Sequence, residues 1–149
     1  LVYEGLISTK LGGLYQTTYH EKDGTKKVAA VTQMEPTDAR SMVPCFDEPE
    51  FKASWKVKVV HPKGTTATSN TIEDGPVEDN GGWLTTKFVE TPKMSSYLLA
   101  LMVSEFENIN GKTKTGVEVR RANNENLRKH CQIGTNCCMR RICGRRSRL

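Results

Sequence analysis

The chain has 149 residues, a length that suits one domain or one and a fraction and allows a sizeable core. Apolar residues make up 36%, low for a globular protein, and no stretch approaches the roughly 20 apolar residues that a membrane-spanning helix needs. The net charge of +5 conceals two unlike compositions: residues 1–106 hold 11 Lys+Arg against 14 Asp+Glu, a balance of −3, and residues 107–149 hold 11 against 3, a balance of +8.

Cysteine follows the same division, with Cys45 apart and Cys131, Cys137, Cys138 and Cys143 crowded near the end. That odd set fixes no redox compartment. No Asn-x-Ser/Thr acceptor occurs, and the first residues show no signal-peptide pattern. The chain opens without Met and is expected to begin inside a longer protein.

Taken in order, the first 106 residues read as short strands joined by turns. Leu1–Ile7 is a β-prone run, broken by Leu11-Gly12-Gly13. Leu14–His20 follows, with Tyr15, Thr17 and Tyr19 on one face. Lys22-Asp23-Gly24-Thr25 is a hairpin turn in which Asp-Gly supplies the positive φ, and Val28–Thr32 returns. These three segments read as a meander. Lys52–His61 alternates, with Trp55, Val57 and Val59 on one side and Lys56 and Lys58 on the other, until Pro62-Lys63-Gly64 ends it. Thr65–Thr71 is a further candidate strand. Glu73–Gly82 reads as an exposed acidic loop, and Trp83–Val89 and Tyr97–Val103 as two more strands. The fold class implied is all-β, an antiparallel sandwich or curved sheet of short strands.

Residues Glu35–Glu50 break the pattern. Pro36, Pro44 and Pro49 fall too densely for a helix or a central strand. Thr37 is placed to cap a short helical turn through Asp38-Ala39-Arg40. Asp38, Arg40, Asp47 and Glu48 are expected to form a salt-bridged cluster that holds this loop. Neighbours on an extended chain point to opposite faces, which argues against Asp47-Glu48 as a catalytic or metal-binding pair. Cys45, between Pro44 and Phe46, reads as a small buried hydrophobe. By itself Glu35 reads as a solvated loop carboxylate.

The run Thr32-Gln33-Met34-Glu35-Pro36-Thr37-Asp38-Ala39-Arg40, continued by Ser41-Met42-Val43-Pro44-Cys45-Phe46-Asp47-Glu48-Pro49, resembles the signature of the amino-terminal domain of the aminopeptidase N family of zinc metallopeptidases. Its flanks agree: Tyr3-Glu4-Gly5, Leu14-Tyr15 and Tyr19 before it, then Lys52-Ala53-Ser54-Trp55, Met94 to Ala100, and Gly116 to Arg120. The resemblance implies a saddle-shaped antiparallel β-domain over residues 1–120, leaning on a separate catalytic domain that this chain does not contain. It implies that Glu35 holds the free α-ammonium of a peptide and that Gln33 lines the pocket for the first side chain. The chemistry suits the residue type, because a carboxylate in a partly dry cleft pairs with an ammonium by charge-assisted hydrogen bonds. Fixing a chain end is catalysis by positioning. Pro36 restricts the backbone of Glu35 toward extended shapes and helps to aim it. Outside the resemblance, the same residues fit a non-catalytic β-sandwich that binds a partner by its surface.

Zinc hydrolysis of this kind needs His-Glu-x-x-His on a helix and a later Glu. The histidines here are His20, His61 and His130. His20-Glu21 begins correctly, but Gly24 stands where the second His belongs, beside a turn. No zinc site is therefore expected in this chain, and the family's zinc would be held downstream. Family members occur anchored to membranes, secreted or in the cytosol, so the resemblance fixes no location.

After Arg120 the resemblance stops. Residues 121–149 are Cys/Arg-rich, follow neither period and read as an irregular tail. Three readings stand: a truncated or aberrant end; a metal site using His130, Cys131, Cys137 or Cys138, and Cys143, at a spacing that matches no familiar ligand pattern; or a basic arm of Arg140, Arg141, Arg145, Arg146 and Arg148 for nucleic acid or an anionic membrane. No aromatic residue interleaves with those arginines, so base stacking has no support.

Overall fold

The computed structural model describes residues 1–113 and 118–123, and the chain divides into two units, the first ending at Glu105. That first unit is built from two antiparallel sheets and two single 3₁₀ turns, the all-β architecture that the alternating runs predict.

Strand β1 (Gly13–His20) and strand β2 (Lys26–Gln33) pair along their full lengths, from Gly13 opposite Gln33 to His20 opposite Lys26. Thr, Tyr and Val favour this pleated surface. The turn between them is the one that Asp23-Gly24 predicts. Gly24 sits at φ +85°, and the Asp23 carboxylate accepts the Thr25 N–H at 2.9 Å and its hydroxyl at 2.7 Å. Strand β3 (Lys58–Pro62) pairs with strand β6 (Trp83–Lys87), which also pairs with strand β5 (Glu78–Asn80). Strand β4 (Thr66–Ser69) pairs with strand β7 (Leu101–Ser104), giving the sheet orders β1-β2-β7-β4 and β3-β6-β5.

The alternation read over residues 55–59 is seen directly: Trp55, Val57 and Val59 are half-buried, while Lys56 and Lys58 are exposed. Regular strand geometry begins only at Lys58, but the ladder continues upstream. Val57 O accepts the Phe88 N–H, Trp55 O accepts the Thr91 N–H, and Ala53 and Met94 exchange both backbone bonds. Among the described residues the buried apolar side chains are few: Ala29, Met34, Ala39, Ala67, Phe88 and Leu99. Threonines, serines, His61 and Asp47 fill the rest of the interior, and all must find hydrogen-bond partners there.

Three expectations are corrected. Leu1–Ile7 is not a strand and is exposed throughout. Among the described residues no strand pairs with it, the first backbone hydrogen bond being from Gln16 N to Ser8 O at 2.7 Å, and an unpaired run is not a strand whatever its propensity. The acidic loop Glu73–Gly82 contains strand β5, because Gly81 (φ +66°) and Gly82 (φ +101°) turn the chain back and Lys87 and Lys63 pair with Glu78 and Asp79. The run Tyr97–Val103 begins as a 3₁₀ turn over Ser96–Leu98, and only Leu101–Ser104 is strand.

In the second unit, strand β8 (Glu107–Lys112) and strand β9 (Glu118–Asn123) form an antiparallel ribbon. Gly116-Val117 and everything from Asn124 onward lie outside the described residues, including His130, the four late cysteines and the arginines of the tail.

Candidate functional site

The unusual loop leaves the end of β2. Gln33 is the last residue of that strand, exposed and directly opposite Gly13. Met34 then turns inward and is only 2% exposed, so it plugs the chain into the core. Glu35 turns outward and is exposed, and among the described residues no ion pair engages its carboxylate. The Glu35–Pro36 peptide is cis. The bend closes where the Asp38 N–H donates to Met34 O at 2.9 Å, and a 3₁₀ turn follows over Ala39–Ser41 with Ala39 fully buried. Among the described residues Glu35 is thus a carboxylate with no ion-pair partner, on a backbone pinned on both sides.

Two further contacts fix the loop. The first is at Gly13, which sits at φ +63° in the left-handed region. A Cβ there would lie 1.9 Å from Ser41 Oγ and 3.2 Å from Asp38 O, so only glycine lets β1 approach the 3₁₀ turn. The second is Asp47, 1% exposed, which reaches back across the loop. Its Oδ2 accepts the Arg40 backbone N–H at 2.9 Å and Arg40 Nε at 3.4 Å, and Ser96 Oγ donates to Oδ1. Burial pushes the Asp47 carboxyl up, but the bonds from Ser96 and from the backbone and side chain of Arg40 outweigh it, and the group titrates below the usual carboxylate range.

Of the four residues expected to cluster, the structure brings three together. Arg40 faces Asp47 and, at 3.7 Å, Glu48; both partners in the second pair are about half exposed, so that arm adds little. Asp38 stands apart: its carboxylate lies beside Gly12, its carbonyl accepts the Ser41 N–H and hydroxyl, and no ion pair joins it to Arg40. Nor does Thr37 cap the turn. The flanking residue is Asp38, which makes no side-chain cap, and the N–H that a local cap would satisfy is instead taken by Asp47. Cys45 is half-buried rather than fully buried, and burial, helped by the nearby Asp47 charge, raises its thiol. Phe46 and Phe51 are exposed beside the loop with ring centroids 5.5 Å apart.

Sequence reasoning missed Ser96 and Gly13. Ser96 stands 49 positions after Asp47, and no local pattern marks the pair. Gly12-Gly13 carries a signal of close backbone approach as well as one of a strand break.

Comparison with known proteins bears on this loop. Residues 1–98 match the peptidase M1 N-terminal domain. The chain belongs to that family. The aminopeptidase N of Haemonchus contortus is 65% identical over 119 residues, and that of Homo sapiens is 43% identical over 121. The endoplasmic reticulum aminopeptidase 1 of Homo sapiens is 41% identical over 124 residues. The first two matches cover 79% of this chain and the third 78%, but each covers 12% of the relative, so the chain spans about an eighth of their length.

The zinc of M1 metallopeptidases finds no fitting donors among the described residues. Both ring nitrogens of His61 are engaged, Nδ1 with Thr65 Oγ1 at 2.8 Å and Nε2 with Thr86 Oγ1 at 2.9 Å. His20 ends β1 on the exposed side of the hairpin, and among the described residues no three His, Cys, Asp or Glu side chains converge.

Proposed function

We propose that this M1 N-terminal domain contributes the loop that anchors the free amino end of a peptide substrate, with Glu35 receiving the α-ammonium and Gln33 lining the space for the first side chain. The observation that carries the proposal is the exposed Glu35 carboxylate, without an ion-pair partner among the described residues, on a backbone held at Met34 and Ala39. A carboxylate already paired within the chain would have to give up its partner to bind a ligand. A carboxylate on a slack loop would lose more ordering entropy on binding. Glu35 avoids both costs. The charge of the surroundings favours a cation as well, since residues 33–50 carry five carboxylates and one guanidinium.

Peptides with a free amino terminus are the proposed substrate, and a downstream catalytic domain is the proposed partner. The peptide bond would be broken there, by groups that the described residues do not supply. Residues 1–120 are proposed to belong to this β-domain. In the full-length aminopeptidase that carries the domain, Glu35→Ala is expected to raise KM for amino-acyl chromogenic substrates and to lower kcat/KM by about 100-fold, the scale of a lost close charge pair. An unchanged KM would refute the anchoring role.

A further inference from the structure

We infer that Ser96 is a positioning residue for the Glu35 bend, acting through Asp47; this rests on the anchoring role proposed for Glu35. The linkage is continuous. Ser96, 1% exposed, donates from Oγ to Asp47 Oδ1. Asp47, equally buried, uses Oδ2 to accept the Arg40 N–H at 2.9 Å. Arg40 is the middle residue of the 3₁₀ turn Ala39–Ser41, and the Asp38 N–H that enters that turn closes the bend onto Met34 O at 2.9 Å. Glu35 follows Met34 directly.

Asp47 therefore performs across the loop the task that a capping side chain performs locally: it satisfies an N–H at the start of a turn. A local cap is held by its own backbone. Asp47 is held by Ser96, and by Arg40 Nε at the longer distance of 3.4 Å. Without the Ser96 hydroxyl, one oxygen of a buried carboxylate loses its donor, and that carboxylate gains by rotating toward Arg40 or toward water. Either movement releases the turn and lets the Glu35 carboxylate wander. Groups that orient a binding residue through hydrogen bonds matter in this way wherever a misplacement of about 1 Å is costly.

The test is a double-mutant cycle in the full-length aminopeptidase, using amino-acyl chromogenic substrates and recording KM, kcat and the melting temperature. Ser96→Ala is expected to lower kcat/KM about tenfold, mostly through KM. On a Glu35→Ala background the same change is expected to have less than about a twofold effect, because there is no longer an anchor to misplace. Ser96→Thr, which keeps the hydroxyl, is expected to restore kcat/KM to within about twofold. Should Ser96→Ala not fold, Ser96→Cys, a near-isosteric and weaker donor, enters the same cycle under the same criterion. An equal loss on both backgrounds would make Ser96 merely structural and overturn the inference. If Glu35→Ala raises KM while Ser96→Ala changes nothing, the inference falls and the anchoring role stands. If Glu35→Ala is itself neutral, the anchoring role fails first.

Discussion

Gly13→Ala offers a sharp check on how the loop is held. The methyl group would lie 1.9 Å from Ser41 Oγ, far inside contact distance, and 3.2 Å from the carbonyl of Asp38. The residue also sits at φ +63°, where a side chain costs about 1–2 kcal/mol. Ser41 can retreat only by giving up the 2.6 Å bond from its hydroxyl to Asp38 O, worth about 1 kcal/mol. The combined cost is about 2–3 kcal/mol, and a shift of about 10 °C in melting temperature follows for a domain of this size. Urea unfolding, followed by the fluorescence of Trp55 and Trp83, measures it. The contact with Ser41 has its own signature. In a Ser41→Ala background the closest atom is gone, and Gly13→Ala should cost only the backbone share of about 1–2 kcal/mol. An equal cost in both backgrounds would refute the claim that β1 and the 3₁₀ turn meet through Ser41.

Two further changes probe the buried polar groups. Because the folded state holds Asp47 below its ordinary pKa, its contribution is present above about pH 4 and disappears as the pH falls through the lowered value; Asp47→Asn should flatten that acid limb of the stability curve, and an unaltered limb would contradict the pairing. His61→Phe removes the partner of Thr86, which is 3% exposed, and should destabilise by about 2–3 kcal/mol in urea unfolding; a neutral result would mean that the Thr86 hydroxyl finds another partner at no cost.

Much of this architecture is legible in the chain because the relevant forces are local. Asp23-Gly24 sets its own turn, and the alternation of Trp55, Lys56, Val57 and Lys58 sets its own two faces. The proline spacing likewise announces an irregular loop between Glu35 and Glu50. What escaped depends on distant partners. Leu1–Ile7 has strand propensity and nothing among the described residues to pair with. Glu78–Asn80 has poor propensity and is strand all the same, because a glycine turn delivers it to β6 and two lysines cover its charges. The loop's anchor is the extreme case. Asp47 takes the capping role expected of Thr37 from seven residues beyond the N–H it serves, and its own partner Ser96 lies on another connection altogether.

The central claim is that the Glu35 carboxylate grips a positively charged chain end. Its most direct test compares two competitive inhibitors of the longer protein, for which aminopeptidase activity is proposed, alike except that one bears the α-ammonium and the other a hydrogen in its place. With Glu35 intact, the ammonium compound is expected to bind about 100-fold more tightly, and Glu35→Gln is expected to shrink that preference to a few-fold. A preference that survives Glu35→Gln undiminished would place the ammonium somewhere else.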